Sequence, residues 1–599
     1  MNALTKNKDL DDLIEALGYR NGIGLIDLPK ASSQSTGYAY LFRRAYEECR
    51  VKSVYTLTSP DQTGIVPLVY LADAESEPEA AEIHRKVWNQ NLVPFLIVST
   101  PERYVLYSGF RYELDKSAKE REIEEIVKGA RVSLGHFRGL EAQSIADGSI
   151  WTHRGKDIVL EERVDQRLLQ ELEKLGQKLR ESPFGLSPHQ AHALIGKFVY
   201  LRYLRDREIL SNERLADWEI DPKTVFGRNS TQAAFAALNT KLDAWLNGSV
   251  FPVDMGPNSV GEAAIRQVAS VFYGDTTAGQ MSLFEAYDFA FIPIETLSVI
   301  YQQFLHAEKR GKSKGAYYTP VHLVDLILDE VETRTPLQPG VTVLDPACGS
   351  GAFLVQAYRR IVERRLAQGG KLHPDALSDL LTRHIFGVEQ DEDACRVANL
   401  SLVITLLDYV DPPDLRRYED FKLPALYGGN IVQGDFFDPD LPLANRRFHC
   451  IVGNPPWLNI KNPKKPLAEH IHALRWMQGH QAEYPIGNLQ LAEAFAWKVG
   501  EHLLPNGAIG LLMPAMSLFK SHSQGFRSVF FRHFRAWCVV NFANLAYVLF
   551  GGRVQEPAAV LFYGFDADEG ADDNILTYAP FLAHQPAMQR AGIRKCKET

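Results

Sequence analysis

The sequence predicts an α/β protein: a doubly wound, mainly parallel sheet in the C-terminal half, preceded by a helical domain and a small N-terminal α/β domain. Three observations carry this. The apolar run Val341-Thr342-Val343-Leu344 ends in the glycine-rich turn Asp345-Pro346-Ala347-Cys348-Gly349-Ser350-Gly351-Ala352-Phe353 and continues as a helix from Leu354 to Leu366. Strand, glycine-rich turn and helix open a doubly wound nucleotide-binding unit. Six further short apolar runs follow as far as Tyr563, with helical stretches among them. Finally, 599 residues exceed what one core holds, so about three domains are expected.

Composition sets the class. Hydrophobic residues make up 45% and charged residues 23%, which suits a globular chain. No apolar run reaches the roughly twenty residues needed to cross a bilayer, and Met1-Asn2-Ala3-Leu4-Thr5-Lys6 lacks the apolar core of a secretory signal. The six cysteines are scattered without C-x-x-C spacing, which argues against a zinc ribbon or a disulfide framework. A cytoplasmic protein without a metal site is the expectation. The formal net charge of −9 is not that of a nucleic-acid binder overall, but basic clusters occur at Lys309, Arg310, Lys312 and Lys314, at Lys461, Lys464 and Lys465, and at Arg527, Arg532 and Arg535.

Residues 1–150 alternate strand and helix. Val66 to Leu71, Val93 to Val98 and Tyr104 to Tyr107 read as strands, and Ala81 to Trp88 as the helix between the first two. A magnesium nuclease needs converging carboxylates and a lysine. Pro60-Asp61 offers the first part. Asp73, Glu75 and Glu77 bring carboxylates without an acidic-x-Lys, and Glu82 falls on the helix. A degenerate or structural domain is expected.

Residues 160–308 read as helical. Val164, Leu168, Leu169, Leu172, Leu175 and Leu179 recur at helical spacing, and Ser187-Pro188 opens a second helix running to Leu204. Arg202, Arg205 and Arg207 lie at its end, as solvated residues or phosphate contacts.

From Lys309 the chemistry begins. Thr319 caps and Pro320 opens a helix from His322 to Val331. The pattern after Asp345 is not G-x-G-x-x-G, and no Gly-Lys-Ser/Thr follows, so dinucleotide and triphosphate readings weaken. The strand His384 to Val388 ends in Glu389, placed to hold ribose hydroxyls. It lies 389 − 345 = 44 positions after Asp345, against the usual ~20, and an inserted helix from Pro374 to Arg383 accounts for the excess. The strand Ile431-Val432 runs to Asp435 and Phe436, suited to an adenine amino group and ring. Strand Cys450 to Val452 leads into Asn454-Pro455-Pro456-Trp457. Two prolines fix that turn, so the Asn454 amide and the Pro455 carbonyl are held in one direction beside a flat indole. That is a receptor for a flat ring bearing an amino group, such as a flipped-out nucleobase.

Together, Gly315-Ala316-Tyr317-Tyr318-Thr319-Pro320, the Asp345 to Phe353 turn and Asn454 to Trp457 resemble the DNA adenine-N6 methyltransferases of type I and type IIG restriction–modification systems. Tyr287-Asp288-Phe289, Ile292 to Glu295 and Ile300-Tyr301 look like that family's helical domain, so the resemblance covers roughly residues 160 to 565. It implies a seven-stranded Rossmann-like methyltransferase domain over 309–565, a tail over 566–599, and S-adenosylmethionine as methyl donor. Tyr317, Thr319, Asp345, Ala347, Gly349 and Gly351 would surround the donor's methionine part, Glu389 its ribose, and Asp435 and Phe436 its adenine. Asn454 and Pro455 would accept the amino hydrogens of the target adenine, with Pro456 completing the turn and Trp457 and Phe550 stacking on the base. The motif order resembles the gamma arrangement, whose sequence-reading domain lies C-terminal. Few residues follow Tyr563, so double-stranded DNA and a separate target-recognition or defence-complex subunit are the expected partners. Rival readings are cytosine-N4 methylation, disfavoured by Asn rather than Ser at 454; protein glutamine methylation, whose enzymes usually carry Tyr where Trp457 stands; a donor-binding scaffold subunit of a defence complex; and a bifunctional restriction–modification enzyme.

Overall fold

A computed structural model describes residues 10–28, 37–58, 65–128, 137–245, 251–256, 259–274, 284, 286–298, 319–410, 421–546, 556–565 and 575–580. The chain divides into two compact units. One comprises Met1–Glu308 with Pro412–Glu419, the other Lys309–Asp411 with Asp420–Thr599. Among the described residues, no helix is long and apolar enough to cross a membrane.

The first unit is built on a six-stranded sheet in chain order: β1 (Leu25–Asp27), β2 (Val51–Thr58), β3 (Ile65–Asp73), β4 (Phe95–Ser99), β5 (Arg103–Ser108) and β6 (Glu122–Val127). Helix α1 (Ala39–Cys49) precedes β2. Every neighbouring pair is antiparallel except β3 and β4, which helix α2 (Glu77–Gln90) joins as a parallel crossover. The Ser76 hydroxyl starts α2 by accepting the Glu79 N–H at 3.3 Å. Sequence reasoning locates β3, β4, β5 and α2 but not β1, β2 or β6. Strand β6, Glu122-Ile-Glu-Glu-Ile-Val127, hides behind its acids, which serve the neighbouring strand: Glu122 takes the Arg103 guanidinium at 2.6 Å.

Four longer helices follow the sheet in this unit: α3 (Val164–Arg180), α4 (Pro188–Asp206), α5 (Gln232–Trp245) and α6 (Glu262–Tyr273). Ser187 and Gln190 close a capping box on α4, and Phe198 of α4 stacks on Phe235 of α5 at 5.2 Å. The segment around Asp288 is tied to α2. Asn89 exchanges hydrogen bonds with Ala286 and Asp288 at 2.9 and 3.0 Å, and Arg85 reaches Asp288 at 3.1 Å. Arg44 of α1 donates to the Ala290 carbonyl and lies over Phe291. The three arginines at the end of α4 also act internally. Arg202 holds Asp206 and the Phe272 carbonyl, each at 2.8 Å, Arg205 the Leu210 carbonyl at 2.7 Å, and Arg207 the Tyr40 hydroxyl at 3.1 Å. All three are thus held by the protein rather than simply solvated.

The second unit carries an eight-stranded sheet. In chain order its strands are β7 (Val343–Asp345), β8 (Ile385–Glu389), β9 (Ile431–Gln433), β10 (Phe448–Gly453), β11 (Leu503–Pro514), β12 (Arg535–Asn541), β13 (Ala558–Gly564) and β14 (Leu576–Tyr578). Their spatial order is β14-β12-β13-β11-β10-β7-β8-β9. The seven strands read from the sequence all lie in this sheet. The eighth, β14, falls in the stretch read as a tail: three exposed residues pairing parallel with β12, too short to leave a periodic signal. Strands β9, β8, β7, β10 and β11 run parallel, and β13 runs antiparallel between β11 and β12. The winding reverses between β7 and β10. Outside the carboxyl ends of two such strands a doubly wound sheet leaves a crevice.

Helices α7 (Val321–Glu332), α8 (Ala352–Ala367), α9 (Pro374–His384) and α10 (Glu392–Leu407) cover this half. Arg360 of α8 pairs with Asp325 at 3.2 Å and Asp329 at 2.6 Å, and also with Glu332, all on α7. Arg359 pairs with Asp408 at 2.6 Å in full burial. The Arg360 pairs fix the helix that follows the glycine turn against the helix that follows Thr319, and the Arg359 pair fixes it against the end of α10.

Candidate active site at the carboxyl ends of the sheet

Register brings the candidate residues together. Val343 pairs with Cys450 and Ile385, and Gly387 with Ile431, so the ends of β10, β7, β8 and β9 lie side by side. Asp345, Glu389 and Asp435 stand at or just past these ends, and Asn454 follows directly on Gly453. Gly453 is itself a requirement of the site. A Cβ there would stand 2.6 Å from the Asp345 Oδ1 atom. The Asn454 turn and the glycine turn are therefore packed against each other, and only glycine allows so close an approach. Its position just before the asparagine was the available signal, and sequence reasoning passed over it.

The glycine turn is shaped by its own hydrogen bonds. The Ala347 N–H donates to Asp345 Oδ1 at 3.1 Å, and the Gly349 N–H to Glu389 Oε2 at 2.9 Å. Gly349 and Gly351 have φ of +53° and +87°, which suits residues without a Cβ. At Gly351 a Cβ would press on Ala398 of α10 at 3.2 Å. The other Glu389 oxygen accepts the Asp391 N–H at 2.9 Å, so the acid that closes β8 also braces the turn after β7.

Burial dominates the electrostatics. It pushes the Asp345 carboxyl up to about 8, partly offset by the Ala347 N–H and reinforced by the Glu389 charge. Glu389 is raised for the same first reason. So is Asp435, whose Oδ1 accepts the Phe437 N–H at 3.0 Å. Its Oδ2 atom is buried with no hydrogen-bond partner among the described residues. A buried carboxylate oxygen without a donor is costly in isolation and suits a ligand that brings an N–H group.

Asn454 is oriented. Its Nδ2 donates to the Thr319 Oγ1 atom at 3.1 Å, which turns the amide oxygen to the other side. Thr319 therefore serves Asn454 and does not cap α7 as predicted: the N-cap is Pro320, with no side-chain cap bond, and the Thr319 hydroxyl accepts from Asn454 instead. Trp457 donates its indole N–H to the Leu512 carbonyl of β11 at 3.2 Å and is 5% exposed. The ring is fixed, but it is covered rather than displayed as the stacking expectation required. Phe436 also departs from expectation. It is 5% exposed and stacks on Phe495 at 5.5 Å, with His502 at 5.0 Å, so it belongs to an aromatic core instead of facing a ligand. Tyr317, Phe550, Pro60-Asp61 and the basic loop Lys309 to Lys314 lie outside the described residues. Lys461, Lys464 and Lys465 are exposed. Arg527 instead holds the Ser517 and Lys520 carbonyls at 3.1 and 2.8 Å.

In the N-terminal sheet, Asp73, Glu75 and Glu79 face Arg50 at 3.6, 3.3 and 2.8 Å. A lysine absent from the acidic-x-Lys position comes instead from the paired strand, Lys52 lying 3.5 Å from Asp73. A guanidinium and an ammonium thus already partner this carboxylate cluster. Among the described residues no group of three or more His, Cys, Asp or Glu is placed to hold a metal ion.

Residues 293–580 match the family model described as N-6 DNA Methylase. The methylase subunit of a type I restriction enzyme from Methanocaldococcus jannaschii is 27% identical over 233 residues, 38% of this chain and 34% of that protein. One from Haemophilus influenzae is 28% identical over 225 residues, 37% of this chain and 40% of that protein. The chain therefore aligns with less than half the length of these relatives. Among solved structures, the methyltransferase subunit of a type I restriction–modification system from Streptococcus thermophilus is similar at 16% identity and a TM-score of 0.42, over 72% of this chain and 93% of that one. The glycine turn, the acids at the strand ends and the Asn454 turn all fall inside this segment that matches the N-6 DNA methylase model.

Proposed function

We propose that this chain transfers a methyl group from S-adenosylmethionine to N6 of an adenine flipped out of double-stranded DNA, within a restriction–modification or related defence system. The observation that carries this reading is the packing of the Asn454 turn on Asp345 at the strand reversal, with the Asn454 amide oriented by Thr319. The residues present fit the donor: Asp345, Gly349 and Gly351 offer a close backbone cradle, Glu389 a carboxylate for ribose hydroxyls, and Asp435 Oδ2 an acceptor for an adenine amino group. Thr319, Ala347 and, by sequence, Tyr317 complete that cradle. Bound there, S-adenosylmethionine supplies an electrophilic methyl carbon.

The chain's own residues do the rest. Asn454 and the Pro455 carbonyl accept the two amino hydrogens, drawing the nitrogen lone pair out of conjugation with the ring and fixing its direction. Pro456 keeps the turn rigid. Positioning and hydrogen bonding carry the rate, and no strong base is needed because the nitrogen becomes acidic once methylated. Trp457 and Phe550 are proposed as stacking faces, Trp457 only after its cover in this structure opens. The relatives are named as subunits of restriction enzymes, which supports a separate target-recognition subunit as partner, and the exposed Lys461, Lys464 and Lys465 are offered to the DNA backbone. The pairing of Asp73, Glu75 and Glu79 with Arg50 favours modification over cleavage as the role of this chain. We propose that 1–150 and 160–308 are two parts of the first compact unit, and that the methyltransferase domain starts at 309 and extends past 565 to take in β14.

Nucleosides from DNA of cells with and without the chain, supplied with its candidate partner subunit, test this. N6-methyladenine that appears only with the chain is expected. N4-methylcytosine instead, or methylated protein with unmodified DNA, would assign the site to another acceptor.

A further inference from the structure

Beyond the motif itself, the structure shows what holds its far end. The segment just past Trp457 is clamped to a turn at residues 487–490. The Leu491 N–H donates to the Leu458 carbonyl at 2.9 Å, the Ile460 N–H to the Leu489 carbonyl at 3.1 Å, and Asn459 Nδ2 to the Asn488 carbonyl at 2.7 Å. Asn459 and Gln490 form a β-bridge, and Gln490 Nε2 returns a bond to Asn459 Oδ1 at 3.3 Å.

The turn is unfavourable by itself. Asn488 and Leu489 both have positive φ, +52° and +51°. Asparagine tolerates this, but a leucine there is strained. Gly487 admits no side chain, since a Cβ would stand 2.6 Å from Ser523 Oγ and 2.8 Å from the His522 carbonyl. A conformation of this kind persists only when its surroundings over-determine it.

What over-determines it is Glu493, the third residue of helix α11 (Leu491–Glu501). The side chain is 1% exposed. One oxygen accepts the Gly487 N–H at 2.6 Å and the other the Ser523 hydroxyl at 2.7 Å. A carboxylate buried on a helix is expensive unless its bonds fix something. We propose that Glu493 is a positioning residue for the transfer step: it locks the 487–489 turn, which locks residues 458–460 and so sets the direction of the Asn454–Trp457 turn. This role presupposes the methyl transfer proposed above.

The test uses the full chain as wild type, Glu493→Ala and Glu493→Gln, with three readouts: hydrogen exchange of residues 457–462 and 487–492, affinity for S-adenosylmethionine, and turnover on DNA. Glu493→Ala is expected to speed exchange in both segments and lower kcat by about tenfold or more, as loss of bonds to a charged group implies. Donor affinity and donor KM stay unchanged. Glu493→Gln restores most of the loss, because its amide oxygen accepts the Gly487 N–H and its nitrogen donates to the Ser523 hydroxyl. Wild-type exchange or wild-type kcat in Glu493→Ala overturns the proposal. If Glu493→Ala does not fold, Asn459→Ala removes one link of the same chain, and wild-type turnover there overturns it equally. Should the intact chain transfer no methyl group while exchange changes as stated, the functional reading fails and the anchoring by Glu493 stands.

Discussion

At the scale of single residues, the site depends on where charge and bulk are withheld. Asp345, raised to about 8 by burial, is mostly protonated at neutral pH. A cationic ligand beside it favours the carboxylate, so donor binding at pH 7 releases a proton, and affinity rises with pH until about 8. Calorimetry in buffers of different ionisation enthalpy measures this release, which Asp345→Asn abolishes; binding without proton linkage in the wild type would contradict it. The stability sign runs the other way. The unfolded carboxyl ionises near its ordinary value of about 4 while the folded one keeps its proton, so Asp345's contribution to stability declines as pH rises from there towards about 8. At Gly453, substitution by alanine drives a Cβ into Asp345 Oδ1 and costs about 1–3 kcal/mol, read as a lower melting temperature together with weaker donor binding. Chemistry was more legible here than orientation. Asp345, Glu389, Asp435 and Asn454 could be found because, although each alone is an ordinary turn residue, the four fall at successive strand ends. The burial of Phe436 and Trp457 could not, because an aromatic looks the same in sequence whether it faces Phe495 or a ligand.

Among the elements, the sheet's order matters most. All seven strands of the C-terminal unit that the sequence marks as apolar runs are present, since strands buried by flanking helices leave continuous apolar signals. Strands β1, β6 and β14 escaped because each is short or carries charge at an edge, and β2 escaped because Lys52, Ser53 and Thr56 interrupt its apolar residues. The buried ion pairs between α7 and α8 were equally illegible, being contacts between residues some thirty positions apart. They yield a clear expectation. Arg360→Met leaves Asp325, Asp329 and Glu332 without their shared cation and should destabilise the protein by about 3–5 kcal/mol, measured by denaturant unfolding. A loss near zero would mean that these carboxylates are satisfied without it.

For the molecule as a whole, the N-terminal strands and the helices up to residue 308 fall in one compact unit, with Arg85 bridging α2 to Asp288 and Arg44 bridging α1 to Ala290. A double substitution of Arg44 and Arg85 by alanine should therefore lower hydrogen-exchange protection in α2 and in residues 286–298 together; loss confined to one would make them separate domains. The glycine and asparagine turns lie in the other unit, inside the segment that matches N-6 DNA methylases. The claim on which the function rests is that Asn454 clasps the amino group that receives the methyl. Its most direct measurement pairs methyl transfer to DNA with donor binding in the Asn454→Ala chain. Donor affinity should match the wild type while N6-methyladenine formation disappears; methylation persisting in that variant would contradict the assignment.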